Sequence, residues 1–262
     1  MLRLAHLYPQ ELNLYGDKGN ILALTKRLEW RGIDYQLDEI NIGDSTKLSD
    51  YHLFFIGGGQ DSGQAKVAQD FLRRKEEVTD FINSGGVGLA ICGGYQLLGK
   101  SYETSEGDVM EGLGILDIET TAPKSSDKFQ DRLIGNVVAE LLINLEPRTL
   151  VGFENHSGRT RFCSRSLVGH KHNVISRFEQ AQSDTLIPLA KVVDGYGNNG
   201  EDFYEGAIYR NLFGSYLHGS LLPKNPHLAD ELLRRAIKFA GLDIELTRLD
   251  DKLEYRAHGA LT

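Results

Sequence analysis

Gly85-Gly86-Val87-Gly88-Leu89-Ala90-Ile91-Cys92-Gly93-Gly94-Tyr95-Gln96-Leu97-Leu98 decides the fold of this chain. Val87 to Ile91 is apolar or small on both alternating faces, as a strand at the centre of a parallel sheet is. It runs directly into a cysteine, two glycines follow, and a helix then begins. That succession is a nucleophile elbow: a tight strand-to-helix turn lifts the side chain to the sheet edge, and the glycines remove the steric cost of a strained backbone. Exposed amides at the helix start favour the thiolate. The plainer alternative is a buried cysteine at a strand end, but such filler does not require glycines on its helix side.

Outward from the elbow, the first 100 residues alternate short apolar runs with amphipathic stretches, the pattern of βαβ units. The spacing predicts strands at Leu2 to Tyr8, Tyr35 to Ile40 and Tyr51 to Ile56. It predicts helices at Ile21 to Arg31 and Ala65 to Asn83, the second burying Val67, Phe71, Val78, Phe81 and Ile82. The fold class expected is α/β: a flavodoxin-like, doubly wound, mostly parallel sheet with helices on both faces. Beyond residue 110 come shorter strand candidates with period-two alternation: Gly114 to Thr120, Ile134 to Ile143, Leu150 to Glu154, Ile187 to Val193 and Gly206 to Tyr209. They predict antiparallel or mixed pairing at one side of the sheet. Gly195 to Gly200 reads as a hairpin loop. Leu212 to Tyr216 is a last strand, ending near His218. Asn225 as cap, Pro226 at the first position and Gly241 as stop delimit a helix. Residues 1–245 read as one domain, and 246–262 as a charged tail, either a surface helix or partly disordered.

Composition narrows the function classes. The 262 residues include 40% hydrophobic and 25% charged side chains, enough for a core and near globular averages. Two cysteines, Cys92 and Cys163, make no disulfide framework and read as separate thiols in a reducing compartment. The net charge of −8 argues against a nucleic-acid binder, which needs a basic face. No secretory signal opens the chain, and no stretch nears the roughly 20 apolar residues of a membrane span. A cytoplasmic protein without a transmembrane segment is expected.

Phe55-Ile56-Gly57-Gly58-Gly59-Gln60-Asp61 closes another central strand. In a doubly wound sheet, loops after adjacent strands meet at the carboxyl edge. Amides of Gly58 and Gly59, with that of Gly93, could then surround an oxyanion beside Cys92. The run lacks the Gly-Lys-Ser/Thr ending of a phosphate loop. Of eight histidines, His218 is the favoured base, because it follows a strand and Gly219 leaves it space. His156 is its rival, as a second polar group of the pocket. His170 and His172 have metal-ligand spacing but no third ligand nearby. His6, His52, His227 and His258 read as structural or solvated.

Cys92-Gly93-Gly94-Tyr95-Gln96, the triple glycine and His218 together resemble class I glutamine amidotransferases of the cobyric acid synthase-like branch. Within that branch, Leu7-Tyr8-Pro9, Leu14-Tyr15-Gly16-Asp17-Lys18-Gly19-Asn20-Ile21 and Glu154-Asn155-His156-Ser157-Gly158-Arg159-Thr160 resemble the glutaminase small subunits of lipid II isoglutaminyl synthases. The similarity spans about residues 1 to 240. It implies that Cys92 attacks the side-chain amide of L-glutamine and that His218 carries the proton. It further implies an oxyanion hole at Gly59 and Gly93, and a substrate pocket lined by Gln96 and His156, with Arg132 holding the glutamine carboxylate. It implies no cofactor in this chain, and a heterodimer with a Mur-ligase-like synthetase that uses ATP and Mg to amidate the D-glutamate α-carboxylate of lipid II to D-isoglutamine.

One departure stands out. Most class I amidotransferases have an acid two positions after the histidine, where this chain has Ser220. A dyad, another carboxylate such as Asp17, or an acid from the partner would each answer it. The partner is the expected source, which predicts weak glutaminase activity in the isolated chain. Two rival readings remain: the glutaminase part of a corrinoid amidase, and a non-catalytic flavodoxin-like domain that uses Cys92 as a redox sensor.

Overall fold

The computed structural model describes residues 1–13, 17–123, 132–164 and 184–262. The first half of the chain builds β1 (Leu2–Leu7), α1 (Lys18–Glu29), β2 (Tyr35–Ile40), β3 (Leu53–Ile56), α2 (Asp61–Arg73), α3 (Lys75–Asn83), β4 (Val87–Ile91) and α4 (Gly93–Leu98). The second half supplies β5 (Ser101–Glu103), β6 (Val109–Glu111), β7 (Ile118–Thr121), β8 (Leu133–Leu141), β9 (Thr149–His156) and β10 (Arg159–Phe162). It continues with β11 (Ala190–Asp194), β12 (Tyr204–Glu205), β13 (Ala207–Tyr209) and β14 (Leu212–Ser215). Helices Leu221–Lys224, Pro226–Phe239 and Lys252–Gly259 close the chain.

The central sheet has the order β13-β14-β4-β3-β1-β2, and all neighbours are parallel except β13, which runs antiparallel to β14. Leu53-Phe54-Phe55-Ile56 and Val87 to Ile91 are buried along their whole length, as two-sided apolar strands must be. The order from β2 to β14 is that of flavodoxin-like sheets, with the reversal between β1 and β3. The turns after β1, β3, β4 and β14 all leave the same carboxyl edge. Asp17, Gly57 to Gly59, Cys92 and His218 therefore converge there from four places in the sequence.

One alternating segment, Gly206 to Tyr209, joins this sheet as its antiparallel edge strand β13, the mixed pairing its pattern predicted, and the others do not extend it. They form two further four-stranded sheets, β10-β7-β5-β6 and β12-β11-β8-β9. The longest, β8, exposes residues between its buried Leu133, Val137, Ala139 and Leu141. A strand wet on one face belongs outside a sheet covered on both.

Two helix readings are corrected. The stretch from Ala65 to Asn83 is two helices, because the backbone breaks at Arg74 (φ −90°, ψ 7°). There the guanidinium bonds the carbonyls of Asp44 and Thr46, which the loop itself leaves without donors. Asn225 precedes the helix Pro226–Phe239 but does not cap it with its side chain. Its amide instead brackets Val151, accepting the N–H at 3.0 Å and donating to the carbonyl at 2.7 Å, which ties β9 to the helix start.

Within residues 246–262, the helix Lys252–Gly259 is anchored to the domain. Buried Arg27 forks onto Asp230 and Asp251, Arg31 bonds the Thr247 carbonyl at 2.7 Å, and His258 bridges the Lys224 carbonyl and the Thr149 hydroxyl. Among the described residues, no helix is long and apolar enough to cross a membrane.

Candidate active site

Cys92 occupies the turn between β4 and α4 at φ 49°, ψ −104°, a left-handed state that a non-glycine residue enters only under constraint. The constraint is visible on both sides. The Cys92 N–H donates to the Ser215 carbonyl at 2.8 Å, and the Gly94 N–H donates to the Gly57 carbonyl at 3.1 Å. Glycine is required at 94, since a Cβ there would stand 2.9 Å from two backbone carbonyl oxygens, those of Ile56 and Gly57. Gly93 is the first residue of α4, so its N–H has no intrahelical acceptor.

His218 is fully buried and follows β14. Its backbone exchanges hydrogen bonds with Phe153, which joins the end of β14 to β9. The imidazole meets Cys92 on one side and Asp17 on the other, with Nδ1 3.4 Å from the Asp17 Oδ1. Burial pushes the imidazolium down, but the negative charge of Cys92 and hydrogen bonds to Asp17 and Cys92 override it and raise the group to about 10. The imidazole is therefore held toward its charged form beside the Cys92 sulfur. The other Asp17 oxygen, Oδ2, accepts the Gly58 N–H at 2.7 Å. Gly58 is thus committed, while Gly59 faces the cavity.

A cavity of about 390 Å³ opens above Cys92. It brings together Gly59, Cys92, Gln96, Arg132, His156 and His218, all singled out in the sequence. It also holds Gln60, Asn155 and Ser157, which stand in the quoted motifs without an assigned role, and Ser62, Gln64 and Tyr102, which carried no sequence signal. Gly93 lies under Gln64, whose amide nitrogen would be 2.3 Å from a Cβ at 93. The floor is a directed chain of hydrogen bonds. Gln64 Nε2 donates to Gln96 Oε1 at 2.7 Å, Gln96 Nε2 donates to the Tyr216 oxygen at 3.1 Å, and that hydroxyl meets Thr160 Oγ1 at 2.5 Å. Tyr216 was legible only as the end of a strand.

His156 stacks on Tyr216 at 3.7 Å between ring centroids, with its Nδ1 2.8 Å from the Gly158 carbonyl. Burial chiefly lowers its pKa, against the pull of Glu154, whose Oε2 is 3.5 Å from Nε2. It is a neutral wall of the pocket, well separated in role from His218. Arg132 stands exposed on the rim, where Nε and Nη2 both donate to Asn155 at 2.7 Å, on the side-chain and backbone oxygens. A guanidinium so fixed can present its remaining edge to an anion.

Several other readings fall away from the pocket. Cys163 is exposed beyond β10 and does not line it. His170 and His172 lie outside the described residues. His6 is buried and lowered to about 4 by burial and by Lys18, and His52 accepts the Arg3 N–H at 2.9 Å.

A strained cysteine at the carboxyl edge of a flavodoxin-like sheet, with a buried histidine against it, defines an α/β protein of the class I glutamine amidotransferase type. The chain belongs to the CobB/CobQ-like glutamine amidotransferase domain family, which matches residues 3–226. It is 39% identical over 260 residues to "Lipid II isoglutaminyl synthase (glutamine-hydrolyzing) subunit GatD" of Staphylococcus aureus (strain N315), covering 99% of this chain and 94% of that protein. The protein of the same name from Streptococcus pneumoniae is 38% identical over 255 residues, 96% of this chain and 87% of the relative. A probable cobyric acid synthase of Methanococcus maripaludis is 32% identical over 167 residues, but these are 59% of this chain and 28% of that protein. Among solved structures, PurLQS from Thermotoga maritima shares the fold with a TM-score of 0.57 at 16% identity, over 91% of this chain and 99% of that one.

Proposed function

We propose that this chain is the glutaminase subunit of a two-subunit amidotransferase that acts on lipid II. The observation that carries the chemistry is the Cys92–His218 pair. The nucleophile is held at the sheet edge by a strained turn, and its base is buried beside it.

In the reaction, the Cys92 thiolate attacks the side-chain carbonyl carbon of glutamine, and the oxygen that gains charge meets the Gly59 and Gly93 amides. His218 gives its proton to the departing nitrogen, the carbon–nitrogen bond breaks, and ammonia leaves a glutamyl thioester. Water, deprotonated by His218, then releases glutamate and restores the thiol. Arg132 holds the glutamine carboxylate at the rim, and the Gln96–Tyr216–Thr160 chain with His156 shapes the floor.

Ammonia requires an activated acceptor. We infer a Mur-ligase-like partner that binds ATP and Mg and activates the D-glutamate α-carboxylate of lipid II, which ammonia converts to D-isoglutamine. The lipid II reading is favoured over corrinoid amidation because the GatD relatives match along nearly the whole chain, whereas the cobyric acid synthase match is partial. The redox-sensor reading leaves the buried His218 without a role.

The test is ammonia release from L-glutamine by the chain alone and with its synthetase partner. Cys92→Ala is expected to lower release by on the order of 10³-fold or more without changing thermal unfolding. Undiminished release by that variant would sink the mechanism.

A further inference from the structure

Two close approaches press the start of α1 against the loop that carries His218. Gly19 lies so near Ser220 that a Cβ at 19 would stand 2.0 Å from the Ser220 hydroxyl oxygen. One residue on, Asn20 Oδ1 accepts the Leu222 N–H at 2.9 Å. Ser220 itself has φ 52°, a backbone state uncommon for any residue but glycine. Position 220, two residues after the histidine, is thus packed directly against the glycine at the start of α1.

The same contact delivers another carboxylate. Asp17, directly before α1, is fully buried, with Oδ1 3.4 Å from His218 Nδ1 and Oδ2 2.7 Å from the Gly58 nitrogen. The glycine loop makes room for it. A Cβ at 57 would be 3.0 Å from Asp17 Oδ2, and one at 58 would be 2.8 Å from His218 Cε1. The titratable groups that face the imidazole are Asp17 from the start of α1 and Cys92 from the β4–α4 turn. Lys224, from the following helix, bonds the carbonyl of the adjacent Gly219 at 2.6 Å.

We propose that Asp17 orients His218, taking within this chain the role of an acid two positions after the histidine. The proposal rests on the reading of His218 as the base. Asp17 is a positioning residue, since it touches the imidazole and not the substrate. By accepting a hydrogen bond from Nδ1–H it leaves Nε2 to exchange a proton with the thiol. Because its second oxygen holds Gly58, one carboxylate sets both the histidine and the glycine loop.

The experiment follows the His218 ring by NMR as pH is varied in the full-length chain, with His218→Gln assigning the signal. Asp17→Asn is expected to lower the His218 titration midpoint by about one pH unit or more, because an adjacent anion favours the charged ring. It should also cut kcat for ammonia release by about 10²-fold with KM little changed. Asp17→Ala serves if the Asn variant does not fold, with the same midpoint shift expected. An unmoved midpoint in a folded variant overturns the proposal, even if activity is lost, since the residue would then only shape the loop. A wild-type chain that releases no ammonia with or without partner, while the midpoint still falls in Asp17→Asn, overturns the glutaminase reading and leaves the positioning role intact.

Discussion

Cys92 shows how much one residue can concentrate. Its left-handed backbone costs roughly 1–3 kcal/mol, which the bonds to Ser215 and across Gly94 must offset. Arg132 is its opposite, an exposed side chain whose value lies in its fixed direction. Arg132→Ala is expected to raise the glutamine KM about tenfold or more, since a charged hydrogen bond contributes ~1.5–3 kcal/mol, and to leave kcat nearly unchanged. Steady-state kinetics check this, and an unaltered KM would remove Arg132 from the pocket. Cys92 and His218 were legible in the sequence because glycines punctuate the turns that bear them. Asp17 was only one option among three, since its contact with His218 spans 201 positions. Gln64 was not legible at all. It is a polar residue within a helix, and only the packing of α2 over Gly93 brings it to the cavity.

At the scale of elements, the turn after β3 packs directly against both His218 and Cys92. Gly58→Ala would set a methyl 2.8 Å from the His218 ring and 3.1 Å from the Cys92 Cβ. Displacing either group by a few tenths of an ångström or more should lower kcat by about 10²-fold, with a smaller effect on thermal stability. Parallel measurement of ammonia release and unfolding decides it, and full activity would show that the turn can yield. The boundaries of β4 were readable because it is an uninterrupted apolar or small run between glycines and Cys92. β5, β6, β10 and β12 were not, because two to four residues of mixed polarity, such as Ser101-Tyr102-Glu103 and Arg159-Thr160-Arg161-Phe162, show neither an apolar run nor a period. The break at Arg74 was hidden for another reason. Its cause is a side chain reaching to a loop 28 to 30 residues earlier, which no helical spacing encodes.

For the molecule as a whole, the polar interior sets a pH dependence. Glu205 is fully buried behind β14, where its Oε1 accepts from the Ser215 hydroxyl and the Tyr216 N–H. Burial, above all, raises its carboxyl to about 7, against those hydrogen bonds. A carboxyl raised on folding contributes stability that is fully present below its unfolded pKa of about 4.5 and is lost as pH rises through about 7. Glu205→Gln keeps the acceptor without the charge, so its gain over wild type should grow from pH 5 to pH 8.5, toward roughly 3 kcal/mol. Thermal unfolding at both values tests this, and a difference that does not change with pH would refute it. The arrangement of the pocket also bears on inhibition. Its nucleophile is buried and already paired with its base, while its cation waits on the rim. A glutamine-shaped electrophile carrying a carboxylate would be steered by Arg132 and trapped covalently by Cys92, whereas a bulky general thiol reagent would modify exposed Cys163 first. Selectivity between the two thiols is therefore a matter of warhead shape before it is one of reactivity.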